Sequence, residues 1–96
     1  MKLIFCDECQ DVFKLTKTEK SCECGKCKGK AVDNINAVYN DGIPLGFNNP
    51  DLLVAILLQP AAGMGKDFTA FVIPKNVRSM IKCDNFDHIT SKDFER

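Results

Sequence analysis

The chain has no tryptophan, one tyrosine, one histidine and no net charge, since 13 basic residues meet 13 acidic ones over 96 positions. Each shortage excludes something. Without tryptophan, a base-stacking surface of the kind used by single-strand nucleic-acid binders is poorly supplied. Neutrality argues against a strongly basic nucleic-acid arm. A lone histidine, His88, removes the usual partner pairs of acid–base catalysis. The longest apolar run, Leu52–Leu58, is seven residues, where a membrane-spanning helix needs about 20. A length of 96 residues makes one domain with a thin core and excludes a multidomain enzyme.

Cysteine is the exception, with six residues. The opening Met1-Lys2-Leu3-Ile4-Phe5 is cut off by Cys6 before any apolar segment of signal-peptide length develops. The expectation is therefore a cytoplasmic chain, in which thiols stay reduced and clustered cysteines serve as metal ligands rather than disulfides. Spacing supports this: Cys6-Asp7-Glu8-Cys9, then 12 residues, then Cys22-Glu23-Cys24-Gly25-Lys26-Cys27. Two tight turns, each presenting two sulfurs, can close on one ion when a loop brings them together. Cys6, Cys9 and Cys24 are three of the ligands, with Gly25 allowing positive φ behind Cys24. The fourth is Cys22, through Cys-x-Cys-Gly, or Cys27, through the commoner Cys-x-x-Cys; the position of Gly25 favours Cys22. One structural Zn(II) per chain is expected, and Fe(II) fits the same four-sulfur cage.

Residues 3–30, from Leu3-Ile4-Phe5-Cys6 through Cys24-Gly25-Lys26-Cys27-Lys28-Gly29, resemble a zinc ribbon, in which two hairpin knuckles clamp one structural zinc. The whole chain resembles small zinc-ribbon proteins of bacteria and their phages, which carry blocks similar to Ile43-Pro44-Leu45-Gly46-Phe47 and Phe68–Pro74. That likeness implies a regulatory role in host or phage, including inhibition of a defence system. Cys27 departs from the ribbon pattern.

Elsewhere, Val12–Lys17 and Ala31–Tyr39 read as strands. Asn40-Asp41-Gly42 is a turn, and Ile43–Phe47 an edge or irregular strand because of Pro44. Asn48-Asn49-Pro50-Asp51 opens a helix over 50–59, apolar nearly all round and expected to be buried or an oligomer contact. Phe68–Ile73, apolar on both faces, reads as a central strand. Asn76–Lys82 reads as a weak strand or helical turn. The expected fold is α+β: an N-terminal zinc ribbon continuous with a short antiparallel sheet and one apolar helix packed on it. Residues 1–30 form the ribbon lobe, 31–82 a small α+β lobe packed with it, and 83–96 a polar tail expected to fray.

Three further constellations bear on function. Gly63-Met64-Gly65-Lys66 fails as a phosphate loop, because Pro60 and Asp67 stand where glycine and a hydroxyl are required. Six lysines within residues 14–30 offset the charge of a four-thiolate zinc site, and Lys14, Lys17, Lys26, Lys28 and Lys30 are candidate phosphate contacts. Residues 1–30 carry +2 and residues 31–96 carry −2, so neutrality is the sum of two unlike halves. Tyr39, Asn40, Phe47, Asn48 and Asn49 are candidates for binding a small anionic ligand at the Asn-rich loop and helix start. Three functions follow: a non-catalytic module that binds a protein partner or forms a homo-oligomer, a nucleic-acid binder, and a binder of a nucleotide or other small anion.

Overall fold

The structure, a computed structural model, describes residues 1–94. Eight strands form two four-stranded sheets. The strands are β1 (Lys2–Phe5), β2 (Val12–Lys14), β3 (Lys20–Ser21), β4 (Lys28–Ala31), β5 (Ala37–Tyr39), β6 (Ile43–Phe47), β7 (Ala70–Val72) and β8 (Met80–Lys82). One helix, α1 (Asn49–Leu57), follows β6, and a short 3-10 turn spans Ser91–Phe94. The first sheet has the order β2-β1-β6-β7 and the second β3-β4-β5-β8. An α+β fold is thus present, but the sheet expected to be single and antiparallel is two sheets. The second is mixed, because β8 runs parallel to β5 with Val38 opposite Ile81.

Strand pairing interleaves the chain across residue 30. β1 pairs with β6 over Lys2–Phe5 and Ile43–Gly46, and β4 itself runs from Lys28 to Ala31. Short strands cannot close a core by themselves, so each ribbon hairpin takes its partner from the segment that follows, β6 for the first and β5 for the second. The core lies between the sheets. Ile4, Cys6 and Cys27 are fully enclosed there, with Leu15, Tyr39, Ile73 and Met80 around them; Val38 is enclosed too but lies outside that cluster.

Several local expectations are corrected. β6 is a central strand despite Pro44. The absent N–H of Pro44 faces β7, whose ladder ends at Val72, and the Pro44 carbonyl still accepts from Ile73 N–H at 2.9 Å. β7, expected to be central, is an edge strand exposed along its length. The helix begins as expected, with Asn48 Oδ1 accepting from Asp51 N–H at 3.1 Å and Pro50 in the first turn. It is not buried on the sheet: only Ala55 is buried, while Leu53, Val54, Ile56, Leu57 and Leu58 face solvent. Within the segment expected to fray, Phe86 is only 4% exposed and Asp93 N–H donates to the Thr90 carbonyl. Glu95 and Arg96, the end of that expected tail, lie outside the described residues. The radius of gyration is 14.9 Å, above the ~13 Å of a compact chain of about 100 residues. Among the described residues no helix is long and apolar enough to cross a membrane.

Candidate metal centre

Each half of the centre is a turn at the end of a hairpin. Cys6 and Cys9 lie between β1 and β2, and Cys22 and Cys24 between β3 and β4, so each sheet contributes two cysteines. The two turns are built alike. Cys6 N–H donates to the Asp11 carbonyl and Cys22 N–H to the Cys27 carbonyl, both at 2.9 Å and both spanning five residues. Each carries one left-handed residue behind its second sulfur: Gln10 at φ 60° and Gly25 at φ 83°. Glycine adopts that conformation without steric cost, as the sequence implied for Gly25; Gln10 adopts it without that advantage.

The thiol sulfurs of Cys6, Cys9, Cys22 and Cys24 all lie within 4.8 Å of one another and can hold a metal ion. Cys24 Sγ stands 3.7 Å from Cys6 Sγ and 3.5 Å from Cys22 Sγ. Cys27 is outside this group, fully buried beneath the second turn, where its N–H donates to Cys22 Sγ at 3.3 Å. Cys27, the alternative fourth ligand, thus stands beside the four-sulfur group and not in it. Gly42 explains how tightly it is enclosed. With φ at +98°, a Cβ there would stand 2.6 Å from Ile4 Cγ2, 2.9 Å from the Phe5 carbonyl oxygen and 3.1 Å from Cys27 Sγ. The turn over 40–42 thus closes the floor of the centre.

Thiol acidity follows this geometry. The N–H groups of Cys9 and Glu8 point at Cys6 and, against the opposing effect of burial, hold its thiol below the usual range. Burial also opposes ionisation of Cys22, but the Cys27 N–H and the adjacent thiols bring it down to about 6. Cys24 receives the Lys26 N–H, yet its hydrogen bond to Cys22 and its burial push it up to about 12. Burial, then the neighbouring Cys6, raises Cys27 to about 12 as well. A thiolate on one sulfur discourages ionisation of the next, and a bound cation would remove that conflict.

Polar contacts lock the two turns together. Lys26 Nζ donates to Asp7 Oδ1 at 3.0 Å, with Glu8 and Asp41 carboxylates each 3.9 Å away. Asp7, first through that hydrogen bond, raises the Lys26 ammonium. Glu23 N–H donates to Asp11 Oδ2 at 3.0 Å. Lys26 is thus a clamp between turns, not the free phosphate contact expected of it. The acidic partners Asp7, Asp11 and Asp41 went unnoticed in the sequence because their pairing is long-range.

The remaining expected contacts disperse. Lys14 and Lys17 line a groove of about 670 Å³ between the sheets, together with Lys2, Asp33, Asn36 and Ser79. Lys2 Nζ donates to the Ile35 carbonyl and, at 3.3 Å, to that of Ser79, and its burial lowers its pKa against the pull of Asp33. Lys17 and Lys30 flank a smaller recess of about 300 Å³ beside Ile89 and Ser91, and Lys28 is exposed on β4. The five candidate ligand residues do not converge. Asn40 Oδ1 accepts from Lys28 N–H at 2.6 Å and Tyr39 is buried in β5, at the cysteine end of the sheets. Phe47 packs edge-on against Phe68, Asn48 caps the helix, and Asn49 Oδ1 accepts from the terminal ammonium, at the opposite end of β6. Five strand residues separate the groups, about 15 Å at the usual rise of a strand. Asn40 braces the second cysteine turn through Lys28 N–H and the Lys26 carbonyl, and Asn48 caps the helix.

Comparison of the chain with protein-family models, with curated proteins and with solved structures returns no match. The likeness to a zinc ribbon accordingly rests on the cysteine cluster, and relatives lend no support to the likeness to bacterial and phage proteins.

Proposed function

We propose that this chain is a non-catalytic interaction module, held together by one structural Zn(II) and docking on a protein through the apolar surface of α1. The observation that carries this reading is the helix. It buries Ala55 and presents five large aliphatic residues to solvent, Leu57 being 84% exposed. A soluble monomer rarely shows a contiguous apolar patch beyond a few hundred Å², and larger patches mark contact sites. A photo-reactive side chain at position 57 should form protein adducts in cells, while the same group at position 19 should not. Adducts at neither position, or equally at both, would overturn the docking reading.

The choice of zinc rests on the donor set. Four thiolates around Zn(II) at about 2.3 Å place neighbouring sulfurs about 3.8 Å apart, close to the spacings at Cys24. Four thiolates also fill a tetrahedral ion and leave no position for a reacting water, which is the basis for reading the site as structural. Elemental analysis should find one zinc per chain, and a red, iron-loaded protein would correct the metal. Because the ion joins one turn from each sheet, a strong chelator should abolish the cooperative melt.

A second reading draws on the groove containing Lys2, Lys14 and Lys17. Its volume suits a small anion such as a nucleotide, and three lysines there face one carboxylate, Asp33. A thermal-shift series with nucleotides should show saturable stabilisation lost in Lys14→Glu; no stabilisation at millimolar ligand would discard it.

A further inference from the structure

We infer that the ligand of the groove between the sheets carries two or more phosphate groups in a chain, which runs past Lys17 into the recess beside Lys30. The inference rests on the second, small-anion reading and narrows it. The groove of about 670 Å³ and the recess of about 300 Å³ adjoin, because Lys17 and Ala31 line both. Ala31 N–H donates to the Thr16 carbonyl at 2.7 Å, so the segment after β2 is tied to β4 at that boundary. Lys17 therefore stands where the two depressions meet.

The lysines at these two depressions are unbalanced. Among the described residues the ion pairs are those of Lys26 with Asp7, Glu8 and Asp41, and Lys2 donates to the Ile35 and Ser79 carbonyls. Lys14, Lys17 and Lys30 have no such partner. Asp33, the one carboxylate in the groove lining, already accepts from Ile35 N–H and Asn36 N–H, both at 2.9 Å, and from the Asn36 side chain at 2.8 Å. No carboxylate lines the recess, and Asp93 nearby accepts from Thr90 N–H at 2.7 Å. Thr90 and Ser91 add hydroxyls, which can donate to phosphate oxygens. Cations gathered in a concave surface without counter-charge focus a positive potential there and draw an anion.

Their placement sets the number of phosphates. Lys14 lines only the groove and Lys30 only the recess, so a phosphate in either depression meets Lys17 and one other lysine. A second phosphate joined to the first engages the third lysine. The groove falls within the roughly 300–1,000 Å³ usual for small-molecule sites and has room for the group that bears the chain, against Leu15, Ala37 and the Asn34 amide. Among the described residues no aromatic ring lines either depression, so phosphate contacts rather than a stacked base supply the affinity.

Calorimetric titration of the zinc-loaded protein with adenosine mono-, di- and triphosphate and with inorganic tripolyphosphate tests this. The di- and triphosphate should bind about tenfold or more tighter than the monophosphate, the increment of hydrogen bonds to one further charged group. Lys30→Gln should bring them down to the monophosphate's affinity, whereas Lys30→Arg, which keeps the charge, should retain the difference. Adenosine triphosphate binding tighter than tripolyphosphate assigns a nucleotide to the site. Equal or tighter binding of tripolyphosphate assigns a free oligophosphate, and both results keep the phosphate chain. Should Lys30→Gln misfold, amide chemical shifts of the unaltered protein decide: Thr90 and Ser91 should move with the diphosphate and stay with the monophosphate. A diphosphate no tighter than the monophosphate, or Thr90 and Ser91 amides that do not move, overturns the inference and leaves the small-anion reading standing. Binding of none of the four overturns both.

Discussion

Replacing the three cysteines of the second turn one at a time separates a ligand from its support. The sulfurs of Cys22 and Cys24 belong to the four-thiol group, whereas Cys27 lies beneath it, fully buried and donating its N–H to Cys22 Sγ at 3.3 Å. Structural zinc contributes about 10–16 kcal/mol in small domains, so each of four equivalent thiolates carries about 2.5–4 kcal/mol. Cys22→Ser or Cys24→Ser should then weaken metal binding by roughly 100- to 1000-fold, at about 1.4 kcal/mol per tenfold. Cys27→Ala keeps the N–H and all four ligands and loses one buried sulfur. Its affinity should fall by less than about tenfold, with a stability cost of about 1 kcal/mol. Competition against a coloured chelator gives the affinities, and the intensity of the cobalt(II) visible bands counts the thiolates. Full-affinity binding in Cys22→Ser together with loss of a thiolate in Cys27→Ala would refute the assignment.

Gly42→Ala should destabilise by about 3 kcal/mol, because it forces an L-residue into positive φ and drives a methyl against Ile4 and the Phe5 carbonyl; a melting temperature unchanged or raised would contradict this. Asn48→Ala should cost about 1 kcal/mol through loss of the helix cap, about 4–8 °C in a domain of this size, with metal affinity unaffected. Asp33 is held at about 2, below its ordinary 3.8, first by the Ile35 N–H and then by the Asn36 side chain. Since the folded state binds this proton less readily than the unfolded chain, the stabilisation is present above about pH 4 and is lost as pH falls through about 2. A carboxyl-carbon titration with Asp33 at the ordinary midpoint would remove that contribution.

What the sequence determined by itself was the local chemistry. Cysteine spacing marked four sulfurs for one centre, Gly25 marked the left-handed corner of the second turn, and Asn48-Asn49-Pro50-Asp51 marked the helix start within a residue. Those features depend on neighbours a few positions apart, and the chain order states them directly. The choice of Cys22 over Cys27 was legible only as a slight preference. The geometry separates them, because Cys22 occupies in its turn the place that Cys6 occupies in the other. Burial and partnership were decided by tertiary structure. An apolar helix reads the same whether covered or bare, and Phe68–Ile73 reads as central whether or not a strand lies beyond it. Pro44 read as an edge signal, yet β6 tolerates it because its missing donor falls where the β7 ladder stops. Lys26 read as one basic residue among six until the fold brought Asp7 and Asp41 to it. Local backbone preference acts within about a turn of chain, whereas exposure and ion pairing depend on which distant strands meet. Here β1 with β6 and β5 with β8 made that decision, and left α1 and β7 facing outward.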